Sequence, residues 1–176
     1  MAKATKVVPR PFQFVLDANV FIQSHREHYA FDIVPGFWKS LLDQHEAGTL
    51  VSIDRVKDEV LSGGKDDALE DWVRKTSPRT LWATTKDAKV AAAFAEMMNW
   101  VQASTHYTDA AKRIFAANAD GWLAAYARVN TLTLVTHEKF NADKKVEVPL
   151  PNLCKQFGVE AISTFEMLRR LKIKFN

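Results

Sequence analysis

The sequence predicts an α/β protein built on a parallel sheet with helices on its faces. Three observations carry that prediction. Short, nearly continuous apolar runs alternate with helix-like stretches. Proline, glycine and capping residues separate the two kinds of segment. Acidic residues directly follow two of the strand-like runs, and open α/β sheets bind ligands beyond the carboxyl ends of their strands.

Phe12 to Leu16 reads as a buried strand, and Asn19 to Glu27 as a short helix. Pro35 opens a second helix that runs through Trp38, Leu41 and Leu42 and stops at Gly48. Thr49 to Ile53 is a second strand. Asp54 is placed to cap a helix carrying Val56, Val60 and Leu61, which Gly63-Gly64 ends. Residues 65–104 are helical and charged, with a break at Ser77-Pro78 and a short extended piece at Leu81-Trp82-Ala83. Thr85 to Val101 reads as a long helix suited to core packing or to a homodimer interface. Helices follow over Thr108–Asn118 and from Asp120 through Arg128 to Asn130. Strands are expected at Leu132–Val135, Lys145–Val148 and Val159–Ile162. Asn152 to Phe157 is a helical turn closed by Gly158. Ser163 and Glu166 have capping-box spacing at the head of a terminal helix.

No composition shift or linker divides the 176 residues, so a single domain over residues 1–176 is expected. Residues 1–10 are basic without the apolar centre of a signal peptide and read as a flexible tail. No apolar stretch is long enough to span a bilayer, so no membrane association is expected. One cysteine, Cys154, excludes an internal disulfide and fits a cytoplasmic location. No histidine pairs with it at zinc-ligand spacing; beside Leu153 it reads as a small buried side chain. The net charge of +3 permits an RNA partner without requiring one.

Asp17 ends the apolar run Phe14-Val15-Leu16, where an unpaired buried acid costs folding energy. Asp120 heads the apolar stripe Leu123, Ala124 and Ala127 of its helix. Taken alone, Asp120 is a capping residue. Glu59 flanks the buried face marked by Val56 and Val60; alone, it is a solvated helical glutamate. Glu138 follows the strand that ends at Val135; alone, it is a loop residue. The combination argues otherwise. Asp17 and Glu138 share the carboxyl edge of a parallel sheet, and helices leaving that edge start there. Four converging acids repel one another and raise their own pKa values. A hard divalent cation, Mg²⁺ or Mn²⁺, resolves the conflict with oxygen ligands and activates water against a phosphodiester.

Asp17-Ala18-Asn19-Val20-Phe21-Ile22, Glu59 in a short helix, Asp120 opening Asp120-Gly121-Trp122-Leu123, and Thr136-His137-Glu138 after a strand together resemble the PIN-domain ribonucleases. The general plan is similar to the VapC-type toxins of toxin–antitoxin pairs. The resemblance implies a three-layer α/β/α fold around a parallel sheet of four to five strands. It implies Mg²⁺- or Mn²⁺-dependent endoribonuclease activity, an RNA substrate and a cognate antitoxin protein. Asp17, Glu59 and Asp120 match the central metal-binding acids. Glu138 stands where that family commonly has Asp or Asn, one methylene longer. Asn19 and Thr136 match supporting polar residues.

Arg26, in Ser24-His25-Arg26-Glu27-His28, together with Arg113 and Lys139, is a candidate substrate contact, each weighed against an ordinary solvated charge. The five tryptophans read as core or partner-facing, with base stacking as the sharper alternative. Two rival functions stand beside the nuclease. One is a phosphohydrolase with Asp17 as nucleophile, although Asn19 replaces the second Asp that such phosphatases usually carry. The other is a catalytically weak PIN-like module that binds RNA or protein without cutting.

Overall fold

The computed structural model describes residues 13–63 and 68–175. The tail expected at residues 1–10, and the element ends expected at Phe12, Gly64 and Lys65, lie outside the described residues.

Five parallel strands form one sheet: β1 (Phe14–Leu16), β2 (Leu50–Ile53), β3 (Trp82–Ala83), β4 (Thr133–Val135) and β5 (Ala161–Ile162). Their spatial order is β3-β2-β1-β4-β5. The chain steps outward from β1 to β3, then returns to the other side of β1 for β4 and β5. Helices flank this all-parallel sheet, consistent with a three-layer α/β/α arrangement. The direction of winding reverses between β1 and β4, where Phe14 pairs with Thr133 and Leu16 with Val135. Every residue of β1 and β2 is buried, as expected of strands covered on both faces. Ser52, the polar residue inside β2, donates its hydroxyl to the Leu16 carbonyl at 2.7 Å, so its burial leaves no unmet hydrogen bond.

The helices are α1 (Ala18–Gln23), α2 (Pro35–Glu46), α3 (Asp54–Leu61), α4 (Ala68–Asp71), α5 (Ala88–Ala103), α6 (Asp109–Ala117), α7 (Asp120–Asn130), α8 (Leu150–Gln156) and α9 (Thr164–Arg170). Helix α1 runs on into a π-helical turn at Ser24–His28. Among the described residues no helix is long and apolar enough to cross a membrane.

Local chemistry explains where the boundaries moved. Helix α5 begins at Ala88 and not near Thr85, because the Asp87 carboxylate caps the amides of Lys89 and Val90. Asp54 was expected to cap α3; it stands instead as the first helical residue, and its carboxylate binds the amide and hydroxyl of Thr85. The strand expected at Lys145–Val148 does not form. This segment is a loop whose Lys145 carbonyl accepts from the Thr108 amide, and Pro149 starts the turn into α8. Ser163 caps α9 by accepting from the Glu166 amide at 3.2 Å.

One contiguous core runs from Phe14 to Leu168. It takes in Trp38, Trp72 and Trp82, with Phe31 stacked on Trp38 at 4.2 Å and Phe21 against Trp82 at 5.2 Å. Helix α5 buries Val90, Ala93, Met97 and Val101, so its apolar face belongs to the core. It packs tightly against α7 at Gly121. A Cβ there would lie 2.8 Å from Met98 and 3.0 Å from the Phe94 ring, which is itself stacked on Trp122 at 3.9 Å. Met98 can swing away; the stacked ring cannot. Gly121→Val is therefore expected to destabilise the fold by about 2 kcal/mol in chemical denaturation, as overpacking does, despite the better helix propensity of valine.

Candidate functional site

The site lies at the carboxyl edge of the sheet, where the winding reverses between β1 and β4; such switch points are where open α/β sheets bind ligands. Asp17 follows β1 directly. Its amide continues the ladder by donating to the Val135 carbonyl at 3.0 Å. Its carboxylate caps α1, accepting from the Ala18 amide at 2.6 Å. The other carboxylate oxygen accepts from the Thr136 hydroxyl at 2.8 Å. The residue is 3% exposed. Burial is the main force pushing its carboxyl up to about 7; the Thr136 bond opposes this, and the charges of Glu138 and Glu59 add to it.

Thr136, just past β4, is a hub. Besides donating to Asp17, its hydroxyl oxygen accepts from the Asn19 side-chain amide at 3.1 Å and from the Glu138 backbone amide at 3.1 Å. The Asn19 carbonyl oxygen accepts in turn from the His137 amide at 3.0 Å. The two residues that the resemblance marks as supporting thus tie the loop after β4 to the start of α1.

Asp120 heads α7, and its carboxylate has no hydrogen-bond partner among the described residues. Burial first, then the charges of Asp17, Glu138, Glu59 and Glu147, push it up to about 8. Glu138 is half-buried; its carboxylate accepts from the Leu150 amide at 2.8 Å, at the head of α8. Burial still raises its pKa, with Glu147 adding to the effect. Glu59, on α3, sits at the open rim and is raised by desolvation and by Glu138. All four predicted acids therefore feel one another.

Two clefts open onto this cluster and share Asn118. One, of about 360 Å³, is lined by Arg55, Asp58, Glu59, Ser62 and the 117–119 turn. The other, of about 260 Å³, is lined by Asp120, Glu138, Glu147, Ile114, Val146 and Val148 among others. Glu147 and Arg55 were not foreseen. Glu147 reaches the acids only because 145–148 is a loop and not a strand. Arg55 carried no signal beyond its spacing four residues before Glu59. The predicted contacts Arg26, Arg113 and Lys139 are exposed, and none lines either cleft. Trp122 was a candidate for base stacking, but Phe94 and Arg55 occupy its faces. Cys154 is fully buried and its thiol is pushed up to about 12, as expected of an inert packed residue.

Among the described residues, no group of three or more His, Cys, Asp or Glu side chains is arranged to hold a metal ion as it stands. The donors fit Mg²⁺ or Mn²⁺ by chemistry. All are carboxylate oxygens, they raise one another's pKa, and those of Asp120 and Glu59 accept no hydrogen bond among the described residues.

Residues 14–175 match the family model described as "Domain of unknown function (DUF4411)", and the chain belongs to that family. No curated protein matches it.

The native fold holds protons on Asp17 and Asp120 up to about pH 7 and 8, whereas the unfolded chain releases them near 3.8. Across that window the folded state binds more protons, so stability in EDTA falls as pH rises. Asp120→Asn removes one uncompensated charge at the cost of a favourable acid in the first turn of a helix. The net is an expected gain of about 1 kcal/mol at pH 8 and none at pH 4, read by thermal melts. Thr136→Val leaves Asp17, Asn19 and the Glu138 amide without their shared partner. It is expected to cost about 2 kcal/mol in chemical denaturation at pH 8.

Proposed function

We propose that this member of the DUF4411 family is a metal-dependent endoribonuclease that hydrolyses RNA phosphodiester bonds. The observation that carries this reading is Asp120: a carboxylate at a helix head, without a hydrogen-bond partner among the described residues, raised by burial and by the charges of Asp17, Glu138, Glu59 and Glu147, and lining a cleft with two of them. Such strongly perturbed groups in a cleft mark functional sites. Asp17, Asp120, Glu59 and Glu138 would hold Mg²⁺ or Mn²⁺. A bound ion of that kind supplies an activated water and neutralises charge on a phosphodiester. The protein's share is positional. Thr136 fixes the Asp17 carboxylate, Asn19 fixes the loop that carries Glu138, and the Leu150 amide orients Glu138 itself.

The open clefts suit a polymer better than a small molecule, since Glu59 in one and Asp120, Glu138 and Glu147 in the other line spaces that meet at Asn118. Ile114 and Val146, 61% and 72% exposed, form an apolar rim beside Asp120 and Glu138. That rim suits a protein partner that covers the site, the part a cognate antitoxin plays in a toxin–antitoxin pair. A phosphohydrolase with Asp17 as nucleophile fits less well, because both Asp17 oxygens are buried and hydrogen-bonded. One observation favours a binding module that does not cut: the acids do not close into a ligand set as they stand.

Cleavage of a single-stranded RNA in 5 mM Mn²⁺ or Mg²⁺ tests the proposal. The wild-type protein is expected to cut, EDTA to abolish cutting, and Asp120→Asn to lower the rate by about 10³-fold, the order lost with one key electrostatic group. Equal rates for the two proteins would remove Asp120 from the reaction. Absence of Mn²⁺ binding by calorimetry would favour the module that does not cut.

A further inference from the structure

The acid cluster repels a polyanion, yet the described lining of the cleft beside it includes one cationic side chain, Arg55, held in an orientation that suits a phosphate. Arg55 lines the first cleft together with Glu59, Asp58 and Ser62. It precedes Glu59 by four residues on α3, a spacing at which Arg and Glu readily pair on a helix. They form no ion pair. Arg55 turns instead to Trp122 of α7, with its guanidinium carbon 4.0 Å from the ring centroid. Trp122 is backed in turn by Phe94. The Arg55 Nε donates to the Thr85 hydroxyl at 3.2 Å. Thr85 is buried and is held by the Asp54 carboxylate through its amide and its hydroxyl, at 3.1 and 2.8 Å.

The guanidinium is therefore fixed on one face and on one edge. Its two terminal nitrogens make no hydrogen bond and no ion pair among the described residues. A planar fork with both terminal amino groups free matches two oxygens of one phosphate, and pre-organisation reduces the entropy lost on binding. From this juxtaposition we infer that Arg55 is a phosphate clamp, which grips one backbone phosphate of a single-stranded nucleic acid lying across the acid cluster. The clamp and Glu59 line the same cleft, and the 117–119 turn that completes its lining leads directly into Asp120 at the head of α7. A strand held at Arg55 is thereby placed against the acids. The inference rests on the proposed nuclease reading and specifies how that site holds its substrate.

The test separates the two. Binding of a fluorescein-labelled 12-nucleotide oligouridylate is measured by anisotropy in EDTA, against salt, on an Asp120→Asn background. Arg55→Met is expected to weaken binding about tenfold and to reduce the slope of log affinity against log salt by about 0.7, one phosphate contact of a single strand. Arg55→Lys keeps the charge but loses the fork; it is expected to keep the slope and lose about threefold in affinity. Both variants are expected to melt within about 5 °C of the parent, since an exposed cation–π contact contributes little to stability. Parent-like affinity and slope in Arg55→Met overturn the clamp alone. So does weakened binding with an unchanged slope in Arg55→Met, which marks Arg55 as a packing residue on Trp122. Absence of binding by the Asp120→Asn parent overturns the nucleic-acid reading, and the clamp with it.

Discussion

The Thr136 hydroxyl is the interaction on which the rest of the site depends. One oxygen atom donates to Asp17 and accepts from Asn19 and from the Glu138 amide. Through it, the end of β1, the start of α1 and the loop after β4 become one unit. Without that atom, the buried Asp17 carboxylate would keep only the Ala18 amide, and Asn19 would lose its hold on the β4 loop at this point. The hydroxyl also opposes the burial-driven rise in Asp17's pKa, so the bond that fixes the geometry of the site also moderates its charge.

This bond is possible because the strand order reverses between β1 and β4. Neighbouring parallel strands end side by side, and their first loop residues meet above the sheet. The remaining acids arrive by a different route. Asp120 is delivered by the start of α7, and Glu59 by the flank of α3 that does not carry Val56 and Val60. Four acids are thus collected from four elements, and no cation among the described residues forms an ion pair with any of them. Lys144 partly offsets Glu138, but it is already paired with Glu147 at 2.6 Å. The fold maintains an excess of negative charge at this edge against an electrostatic cost, and such a cost is commonly tolerated for ligand binding.

Much of this was legible in the residue pattern. Strands β1, β2 and β4 are short apolar runs with polar ends, and the acids that follow β1 and β4 could be placed at one edge from the chain alone. The Lys145–Val148 segment misled because Val146 and Val148 alternate with charged residues as a half-buried strand would. Only Val148 is buried, and the chain turns at Pro149 before any ladder forms. The cationic lining of the first cleft is hidden from the sequence for a related reason. Arg26, Arg113 and Lys139 lie near the acids or within a charged run along the chain, yet none lines either cleft. Arg55 reaches the cleft through Trp122 and Thr85, partners 67 and 30 residues away, and no local pattern encodes such a meeting.

The pairing of β1 with β4 has a temporal consequence. The Thr136–Asp17 bond joins residues 119 apart in the chain. A ribosome that has delivered β1, β2 and β3 has made two of the four acids, and the surface that gathers them does not yet exist. Contacts of such long range close late and slowly in folding. The cluster therefore assembles only after roughly three quarters of the chain has emerged, and a fragment that stops before β4 carries Asp17, Glu59 and Asp120 without the strand that brings them together.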